Sequence, residues 1–316
     1  MKLVIIEPLG VEKEKLLAIA REYVSAQVEI IYYDTKVTDT ASLIERGKDA
    51  DIIVVSNLPM NGEVIRGCEK LKLLSVAFTG VDHIDLQACR KKGTVVCNCA
   101  GYSTAAVADL VFGMLIALYR NLIPCNEVVR HEGTKDGLVG MELEGKKFGV
   151  IGTGAIGMRT ARIAQAFGCE VLAWSRTKKD MPQVAYMPLE ELLAACDIIS
   201  LHVPLTEETR GLIGEKELAL MKESAVLINT ARGPVVDSNA LAEALQSGKI
   251  AGAAVDVFET EPPVASDHPL LQAKNLIATP HVAFATKEAM VKRAHTAHTV
   301  FENVKAWETG KAQNVI

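Results

Sequence analysis

The sequence has no excess of positive charge. Its 34 Lys and Arg residues stand against 39 Asp and Glu residues, which gives a formal net charge of −5. A protein whose main task is to bind a nucleic-acid backbone needs a basic surface, so this balance argues against that class. The chain also lacks any apolar run near the roughly 20 residues that a membrane-spanning helix requires. Its N-terminal apolar stretch is too short for a signal peptide and predicts a first strand instead. We expect a cytoplasmic protein that binds neither nucleic acid nor membrane.

Cysteine is present, but it forms no recognisable disulfide or metal pattern. The seven cysteines are odd in number and scattered through apolar segments. Cys97 and Cys99 could be two ligands of a metal ion, yet no further Cys or His cluster completes a tetrahedral site. We therefore expect buried free thiols in a reducing compartment and no metal. Internal repeats and low-complexity tracts are absent as well.

Strand-like apolar runs alternate with helical patterns along almost the whole chain. Several runs are continuously apolar, such as 51–55, which is typical of strands buried on both faces of a parallel sheet. With 316 residues the chain is long enough for two α/β domains. A first joint is expected near 98–104 and a second near 279–286. The candidate strands are 2–6, 28–32, 51–55, 73–76 and 94–97 before the first joint, then 147–151, 170–174, 197–201, 225–229, 251–255 and 276–278.

The second joint leads into a pattern that predicts one final helix. Its apolar residues recur at helical spacing and would share one face. They are Met290, Ala294, Ala297, Phe301, Val304 and Trp307.

The most informative segment is 148–157, where a short apolar strand turns through three glycines into a helical pattern. Gly152 allows a tight turn, Gly154 lets the backbone approach a phosphate, and Gly157 lets the helix pack on its strand. A second strand follows at 170–174, so the segment predicts a βαβ unit that binds the pyrophosphate of a dinucleotide at the helix N-terminus. The expected contacts are Gly152, Thr153, Gly154, Ala155, Ile156 and Gly157.

The end of that second strand indicates which nicotinamide cofactor fits. A carboxylate there would bind the ribose hydroxyls of NAD(H), but residues 174–179 contain none. Arg176 can instead bind a 2′-phosphate, and Ser175 and Thr177 can donate hydrogen bonds to it. NADP(H) is therefore favoured and NAD(H) remains open. The alternative interpretation of this segment is a solvated basic turn.

Polar residues follow several later strands at the edge where doubly wound sheets bind ligands. His202 follows 197–201, and it is either catalytic or a turn histidine that lines the cofactor. Arg232 follows 225–229, and it is either a carboxylate clamp or part of a structural salt bridge. Glu261 and His281 follow the next two strands. An Arg, a Glu and a His from three strand ends of one sheet together form a site suited to hydride chemistry on a 2-oxo acid.

This ordered set of motifs resembles the D-isomer-specific 2-hydroxyacid dehydrogenase family. The resemblance implies that Arg232, Glu261 and His281 are catalytic, and that the backbone at Thr79 and Gly80 holds the substrate carboxylate. Arg232 and His281 would also bind the substrate. Further cofactor contacts implied by the motifs are His202, Pro204, Thr209, Thr230, Ala231 and Asp256, with Asp256 at the nicotinamide carboxamide. The matching segments are 79–85, 101–104, 152–157, 202–206, 229–233, 256–262 and 280–281.

The resemblance also implies the architecture. It predicts two doubly wound parallel-sheet domains, in which a Rossmann dinucleotide-binding domain (99–282) is inserted into a discontinuous, flavodoxin-like substrate-binding domain (1–98 and 283–316). The last helix would return to the N-terminal domain. The long helix after Gly101 would take part in a homodimer interface.

Segment 55–60 departs from members of the family that handle phosphorylated substrates, because it carries no arginine. A phosphorylated substrate is therefore disfavoured, and the apolar Leu58, Pro59 and Met60 would accommodate an aliphatic side chain. The expected reaction is reduction of a small 2-oxo acid to the D-2-hydroxy acid.

Two alternatives compete with this reaction. The first is a nucleotide-sensing, corepressor-like binding protein, which would not need to retain the Arg, Glu and His together. The second is a Rossmann enzyme that uses NAD internally, such as a hydrolase of S-adenosylhomocysteine, in which the 230–233 motif would be absent.

Overall fold

The computed structural model describes residues 1–179, 182–261 and 263–316, apart from the side chain of Ala294. The chain divides into two compact units, the first comprising Met1–Ser103 with Lys287–Ile316 and the second Thr104–Thr286.

The first unit is built on a parallel sheet with the order β2-β1-β3-β4-β5. Apolar side chains cover both faces of this sheet, as the continuous apolar runs predict. Its strands are β1 (Lys2–Ile5), β2 (Glu29–Tyr32), β3 (Ile52–Val55), β4 (Leu73–Val76) and β5 (Val95–Cys97). The helices between them are α1 (Lys13–Tyr23), α2 (Thr40–Gly47), α3 (Gly62–Gly67) and α4 (Leu86–Lys92).

The second unit contains a larger parallel sheet, covered by helices on both faces. It opens with α5 (Thr104–Tyr119) and α6 (Leu122–Arg130). Its strands are β6 (Lys147–Ile151), β7 (Glu170–Trp174), β8 (Val184–Tyr186), β9 (Ile198–Leu201), β10 (Val226–Asn229), β11 (Gly252–Val255) and β12 (Leu276–Ala278). The helices among them are α7 (Ala155–Ala166), α8 (Leu189–Ala195), α9 (Glu215–Leu220) and α10 (Ser238–Ser247).

The strand order of this second sheet, β12-β11-β10-β9-β6-β7-β8, is that of a Rossmann fold with one added strand. The order reverses between β6 and β9, and ligands bind outside the carboxyl ends of strands at such a switch point. The eleven predicted strands are all present, and seven of them are one residue shorter than predicted. Strand β8 was not predicted, because it is only three residues long, lies at the sheet edge and is at most half-buried.

The chain then returns to the first unit through α11 (Lys287–Ala294) and α12 (Thr296–Glu308). The prediction of one final helix is wrong, because the helix breaks at His295. Phe301 and Val304 are buried against the first sheet, and the hydroxyl of Ser75 donates to the carbonyl of Val300 at 2.9 Å. Met290 is 44% exposed and does not share that face; Ala294 lies outside the described side chains.

Local hydrogen bonds explain why the unit boundaries fall a few residues after the expected positions 98/99 and 282/283. The amide of Cys99 still donates to Phe78 in the first unit, at 2.9 Å. On the return path, the amides of Val282 and Ala283 donate to the Asp256 carboxylate in the second unit. The segments on either side of each expected boundary are therefore held in the same unit.

All the cysteines are free thiols, and all except the half-buried Cys125 are buried. Burial raises the pKa of the Cys99 thiol to about 12, which makes it a poor nucleophile. Within the described ranges, no group of His, Cys, Asp and Glu side chains is placed to hold a metal ion. No single described helix is long and apolar enough to span a membrane, although α5 and α6 meet that criterion as a pair bent by 56°.

Candidate active site

The glycine loop after β6 is shaped by close backbone contacts. Gly152 has a φ of +97°, and an added Cβ would lie 2.5 Å from the carbonyl oxygen of His202 on the far side of the switch point. At Gly157 an added Cβ would lie only 1.9 Å from the carbonyl oxygen of Gly152. Both positions therefore require glycine so that the loop can turn and α7 can start directly against its strand.

Gly154 differs from these two, because no contact among the described residues requires glycine at this position. It caps α7 without a side-chain hydrogen bond, and an added Cβ would meet nothing within 4 Å. The space in front of the first amides of this twelve-residue helix is therefore open. An open N-terminus with donor amides suits a phosphate group.

The residues predicted to select the cofactor follow β7. The amide of Gly152 donates to the carbonyl of Trp174 at 2.7 Å, which places this strand end beside the glycine loop. Ser175 is half-buried, whereas Arg176 and Thr177 are exposed. The Arg176 side chain is 83% exposed and lies 3.7 Å from the Glu208 carboxylate. Such an exposed ion pair is weak and leaves the guanidinium able to bind an anion.

His202 follows β9 and is held by two hydrogen bonds. Its amide donates to Ile151 at 2.7 Å, and its Nε2 lies 2.9 Å from the Ser200 hydroxyl. Burial lowers the pKa of this imidazole to about 4, so the ring is neutral near pH 7. A neutral ring in this position is suited to lining a cofactor rather than donating a proton. In the next turn the Thr209 hydroxyl donates to the Pro204 carbonyl at 2.6 Å.

The turn after β10 presents Arg232. The Asn229 side chain accepts a hydrogen bond from the Ala231 amide at 3.0 Å and donates one to the Arg232 carbonyl at 2.9 Å. These bonds fix the backbone on both sides of the half-buried Arg232 side chain. The next residue, Gly233, has no room for a Cβ, which would lie 2.0 Å from the backbone of Phe258. The loop after β11 therefore passes directly against the arginine turn.

Asp256, at the end of β11, anchors the loop that carries His281. Its fully buried carboxylate accepts hydrogen bonds from the Thr279 hydroxyl at 2.5 Å and from the Val282 and Ala283 amides at 2.9 and 2.8 Å. Its carbonyl accepts from the His281 amide at 2.8 Å. Its predicted contact with the nicotinamide stays a prediction.

His281 and Glu261 form a direct pair. Nδ1 of His281 lies 2.6 Å from Oε1 of Glu261, whose other oxygen accepts from the Phe258 amide at 3.2 Å. His281 has a φ of +53°, a conformation in which its loop is held by the Asp256 bonds. With Nδ1 committed to the carboxylate, Nε2 on the opposite side of the ring is the nitrogen that can transfer a proton to a substrate. Arg232, Glu261 and His281 thus follow three neighbouring strands, β10, β11 and β12.

The second unit fits a dinucleotide cofactor. Gly154 leaves a cradle open at the start of α7. The hydroxyl of Thr230, at the end of β10, is buried without a hydrogen-bond partner in the part of the chain that the structure describes. A buried hydroxyl of this kind is usually satisfied by a ligand or water. Ala231, beside it, is buried.

Thr79 and Gly80 follow β4 in the first unit. The Thr79 carbonyl accepts a hydrogen bond from the Asn98 side chain at 2.7 Å. Its hydroxyl is buried without a partner among the described residues. An unsatisfied hydroxyl at the carboxyl end of a strand is again typical of a ligand contact.

Sequence reasoning missed a charged cluster at the same edge of the first sheet. Lys36, from the loop after β2, donates to the Asn57 side chain at 3.0 Å and lies 3.3 Å from the Glu7 carboxylate. A cation is therefore present beside segment 55–60, although that segment contains none itself. Within the segment Leu58 and Met60 are buried in the core, Pro59 is half-buried and Asn57 is exposed, and the expected tolerance of an aliphatic side chain stays a prediction.

Comparison with known proteins identifies the family. The family model described as "D-isomer specific 2-hydroxyacid dehydrogenase, NAD binding domain" matches residues 112–283. The chain belongs to this family. A hydroxypyruvate reductase of Blautia hydrogenotrophica is 36% identical over 298 residues, which cover 91% of each protein.

Solved structures extend the likeness to both units. An acyclic imino acid reductase in complex with NADPH and D-Arg has a TM-score of 0.86, with 31% identity and complete coverage of both chains. A D-lactate dehydrogenase of Aquifex aeolicus, complexed with NAD and lactic acid, has a TM-score of 0.79 and 33% identity, and the match covers 98% of this chain and 96% of that one. As a 2-hydroxyacid dehydrogenase the chain is an oxidoreductase with a nicotinamide-binding domain.

Proposed function

We propose that this 2-hydroxyacid dehydrogenase reduces small 2-oxo acids to the D-2-hydroxy acids, with NADPH as the favoured cofactor. The observation that supports this most strongly is the 2.6 Å pair of His281 and Glu261, which follows strands adjacent to the Arg232 turn. Reduction of a 2-oxo acid needs a cation, a proton donor and a carboxylate that orients that donor.

Arg232 would bind the substrate carboxylate and polarise its 2-oxo group. A guanidinium forms paired hydrogen bonds with a carboxylate, and its charge stabilises the negative charge that grows on the carbonyl oxygen in the transition state. The Asn229 bonds hold the Arg232 backbone before substrate binds, so little reorganisation is needed. The contact of Thr79 and Gly80 with the substrate carboxylate stays a prediction.

His281 would deliver the proton to that oxygen from Nε2. Glu261 fixes the ring by accepting from Nδ1, and its negative charge stabilises the imidazolium that must be present before transfer. Asp256 holds the backbone on both sides of the histidine. Glu261 and Asp256 thus set the direction in which the proton leaves.

The cofactor would bind along the glycine loop, with its pyrophosphate in front of Gly154 and the Thr230 hydroxyl near its other end. When bound, a nicotinamide cofactor supplies the hydride. The exposed Arg176 beside the glycine loop supports the preference for the phosphorylated form. Both cofactors occur among the similar structures, since one is a complex with NADPH and another a complex with NAD. Our proposal of NADP(H) therefore rests on the residues of this chain.

We also propose a homodimer whose interface includes α5, as the resemblance implies, and extends over the segment after it. No described residue of α6 is buried, and its Val129 is 74% exposed. Val139, in the segment that follows, is 87% exposed. Apolar side chains exposed together on one segment are typical of a surface that a second subunit covers.

The test is a set of initial rates with glyoxylate, hydroxypyruvate and 2-oxobutyrate, each with NADPH and with NADH. We expect turnover with NADPH preferred, and we expect Arg232→Ala and His281→Ala each to lower kcat/KM by about 100-fold or more. His268→Gln is the matched control, because His268 also pairs with a carboxylate, Glu259, at 2.9 Å. Near-normal turnover by either alanine variant would exclude the mechanism, and a strong NADH preference would exclude the role of Arg176.

A further inference from the structure

Two turns of the second unit meet across the strand end from which the glycine loop starts. Strands β7 and β9 are the two neighbours of β6 in the sheet, and adjacent strands run about 4.8 Å apart. Arg176 lies in the turn after β7, and Glu208 lies in the turn after β9. Nη1 of Arg176 lies 3.7 Å from Oε2 of Glu208. The two side chains therefore bridge the carboxyl end of β6.

The turn that carries Arg176 is tied to the glycine loop and to β8. The hydroxyl of Thr153, within the glycine loop, donates to the carbonyl of Thr177 at 3.5 Å. The amide of Lys179 donates to the phenol oxygen of Tyr186 at 3.0 Å. These bonds hold the backbone after Arg176, while the guanidinium extends into solvent.

The turn that carries Glu208 is fixed by two threonines. The amide of Thr206 donates to the hydroxyl of Thr209 at 2.8 Å, and the amide of Thr209 donates to the hydroxyl of Thr206 at 3.2 Å. The amide of Arg210 also donates to the carbonyl of Thr206, at 3.0 Å. Because bonds close the turn on both sides of Glu208, its carboxylate is presented to Arg176 from a fixed backbone.

The ion pair contributes little to folding. The side chains of Arg176 and Glu208 are 83% and 75% exposed. Water solvates both charges in such a pair, and the two long side chains lose conformational freedom when they meet. A ligand can therefore separate the two groups at little cost in stability.

The charge of Glu208 acts differently on the two forms of the cofactor. A 2′-phosphate binds a guanidinium through charge-assisted hydrogen bonds, and the Glu208 carboxylate competes for the same N–H donors and repels the phosphate. NAD(H) has no 2′-phosphate, so it can bind with the ion pair intact. Glu208 therefore opposes NADP(H) while Arg176 favours it.

Resting on the cofactor site proposed above, we propose that Glu208 is a specificity-determining residue that limits the preference for NADP(H). Glu208 pairs with Arg176 in the free protein and with NAD(H) bound, and the 2′-phosphate of NADP(H) takes its place at the guanidinium. A phosphate carries more negative charge than a carboxylate, so it displaces Glu208. The opposing charges of the pair keep the site open to both forms of the cofactor.

Dissociation constants for NADPH and NADH test this, measured by fluorescence titration without substrate. We expect Glu208→Gln to lower the constant for NADPH by about 3- to 10-fold and to change the constant for NADH by less than about 2-fold. Glu207→Gln is the matched control, because it removes the same charge one residue away and Glu207 forms no ion pair with Arg176 in the part of the chain that the structure describes. The control should change neither constant by more than about 2-fold. Both variants should keep the wild-type melting temperature.

Arg176→Ala separates the ion pair from direct repulsion between Glu208 and the phosphate. With Arg176→Ala present, adding Glu208→Gln should change the NADPH constant by less than about 2-fold, since the carboxylate has no guanidinium left to compete for. Calorimetry with adenosine 2′,5′-bisphosphate and adenosine 5′-monophosphate assigns the effect to the 2′-phosphate. Only the bisphosphate should bind Glu208→Gln more tightly than it binds the wild-type protein.

An unchanged NADPH constant in Glu208→Gln would overturn the proposal. An equal gain for NADPH and NADH, or an equal gain with and without Arg176, would overturn it as well. If Arg176→Ala leaves NADPH binding unaltered, the proposed cofactor preference itself fails. If Arg176→Ala weakens NADPH binding but Glu208→Gln leaves it unaltered, only the role of Glu208 fails.

Discussion

His202 and His281 both follow strands at the same edge of the second sheet, yet the structure gives them different chemistry. His281 has a carboxylate 2.6 Å from its Nδ1 and is half-exposed. The partner of His202 is a neutral hydroxyl, and burial lowers its pKa to about 4. The difference lies in what the fold brings to each ring, since both are single histidines after apolar strands in the sequence.

The lowered pKa of His202 predicts a loss of stability in acid. An unfolded chain takes up a proton near pH 6.5 at this residue, whereas the folded chain does so only near pH 4. The unfolded state therefore binds more protons between these values, and the free energy of unfolding falls as the pH drops through this window, by about 3 kcal/mol.

Urea unfolding of the wild-type protein and of His202→Gln at pH 7.5, 6 and 5 measures this effect. The glutamine variant should lose less stability between pH 7.5 and pH 5 than the wild-type protein. His131→Gln on the surface is the control for loss of a histidine as such. Parallel pH dependence of the wild-type protein and His202→Gln would refute the assignment.

At the scale of the element, the glycine loop and α7 combine two kinds of glycine. Gly157 is glycine because the protein itself fills the space, and Gly154 is glycine although the space is open. Only the second kind indicates a ligand, because a side chain there would contact nothing else within 4 Å.

Gly157→Ala is therefore expected to lower stability, and Gly154→Ala is expected to weaken cofactor binding. Gly157→Ala should lower the free energy of unfolding by about 2 kcal/mol or more, since its Cβ meets backbone. Gly154→Ala should change it by less than about 1 kcal/mol and weaken NADPH binding by about 10-fold or more. Thermal denaturation and fluorescence titration with NADPH separate the two. Unaltered NADPH affinity in a folded Gly154→Ala protein would count against pyrophosphate binding at this loop.

At the carboxyl edge of the first sheet, the residues of one loop do not reveal which side chains that loop contacts. Segment 55–60 is a loop after a recognisable strand, but its chemistry depends on Glu7 and Lys36, which come from two other loops. A loop's partners are not encoded in its own residues, because its conformation is set by whatever the neighbouring strands present.

On the scale of the whole molecule, the exposed apolar side chains of α6 and the following segment predict the assembly. Ile123→Asp with Val129→Asp should convert a dimer to a monomer, because two charges would be buried in the interface. Sedimentation velocity of the double variant and of Leu220→Asp, an exposed leucine on α9, makes the comparison. A monomeric wild-type protein, or a double variant that stays dimeric, would contradict this interface.

The sequence alone determined the strands, the glycine loop and the identity of the residues at the strand ends. Continuous apolar runs and glycines at fixed spacing are local signals, so they can be recognised without knowledge of the fold. The sequence also indicated the two α/β units, but it did not indicate the short edge strand β8 or the break between α11 and α12 at His295.

Only the tertiary structure decided which polar groups meet. The 2.6 Å pair of His281 and Glu261, the Asp256 anchor of the histidine loop, and the low pKa of His202 all depend on neighbouring strands that are distant in the chain. Lys36 and Glu7 reach Asn57 across separations of 21 and 50 residues. Parallel strands gather their carboxyl ends at one edge whatever their order in sequence, so the sequence supplies the reactive side chains and the sheet selects their partners.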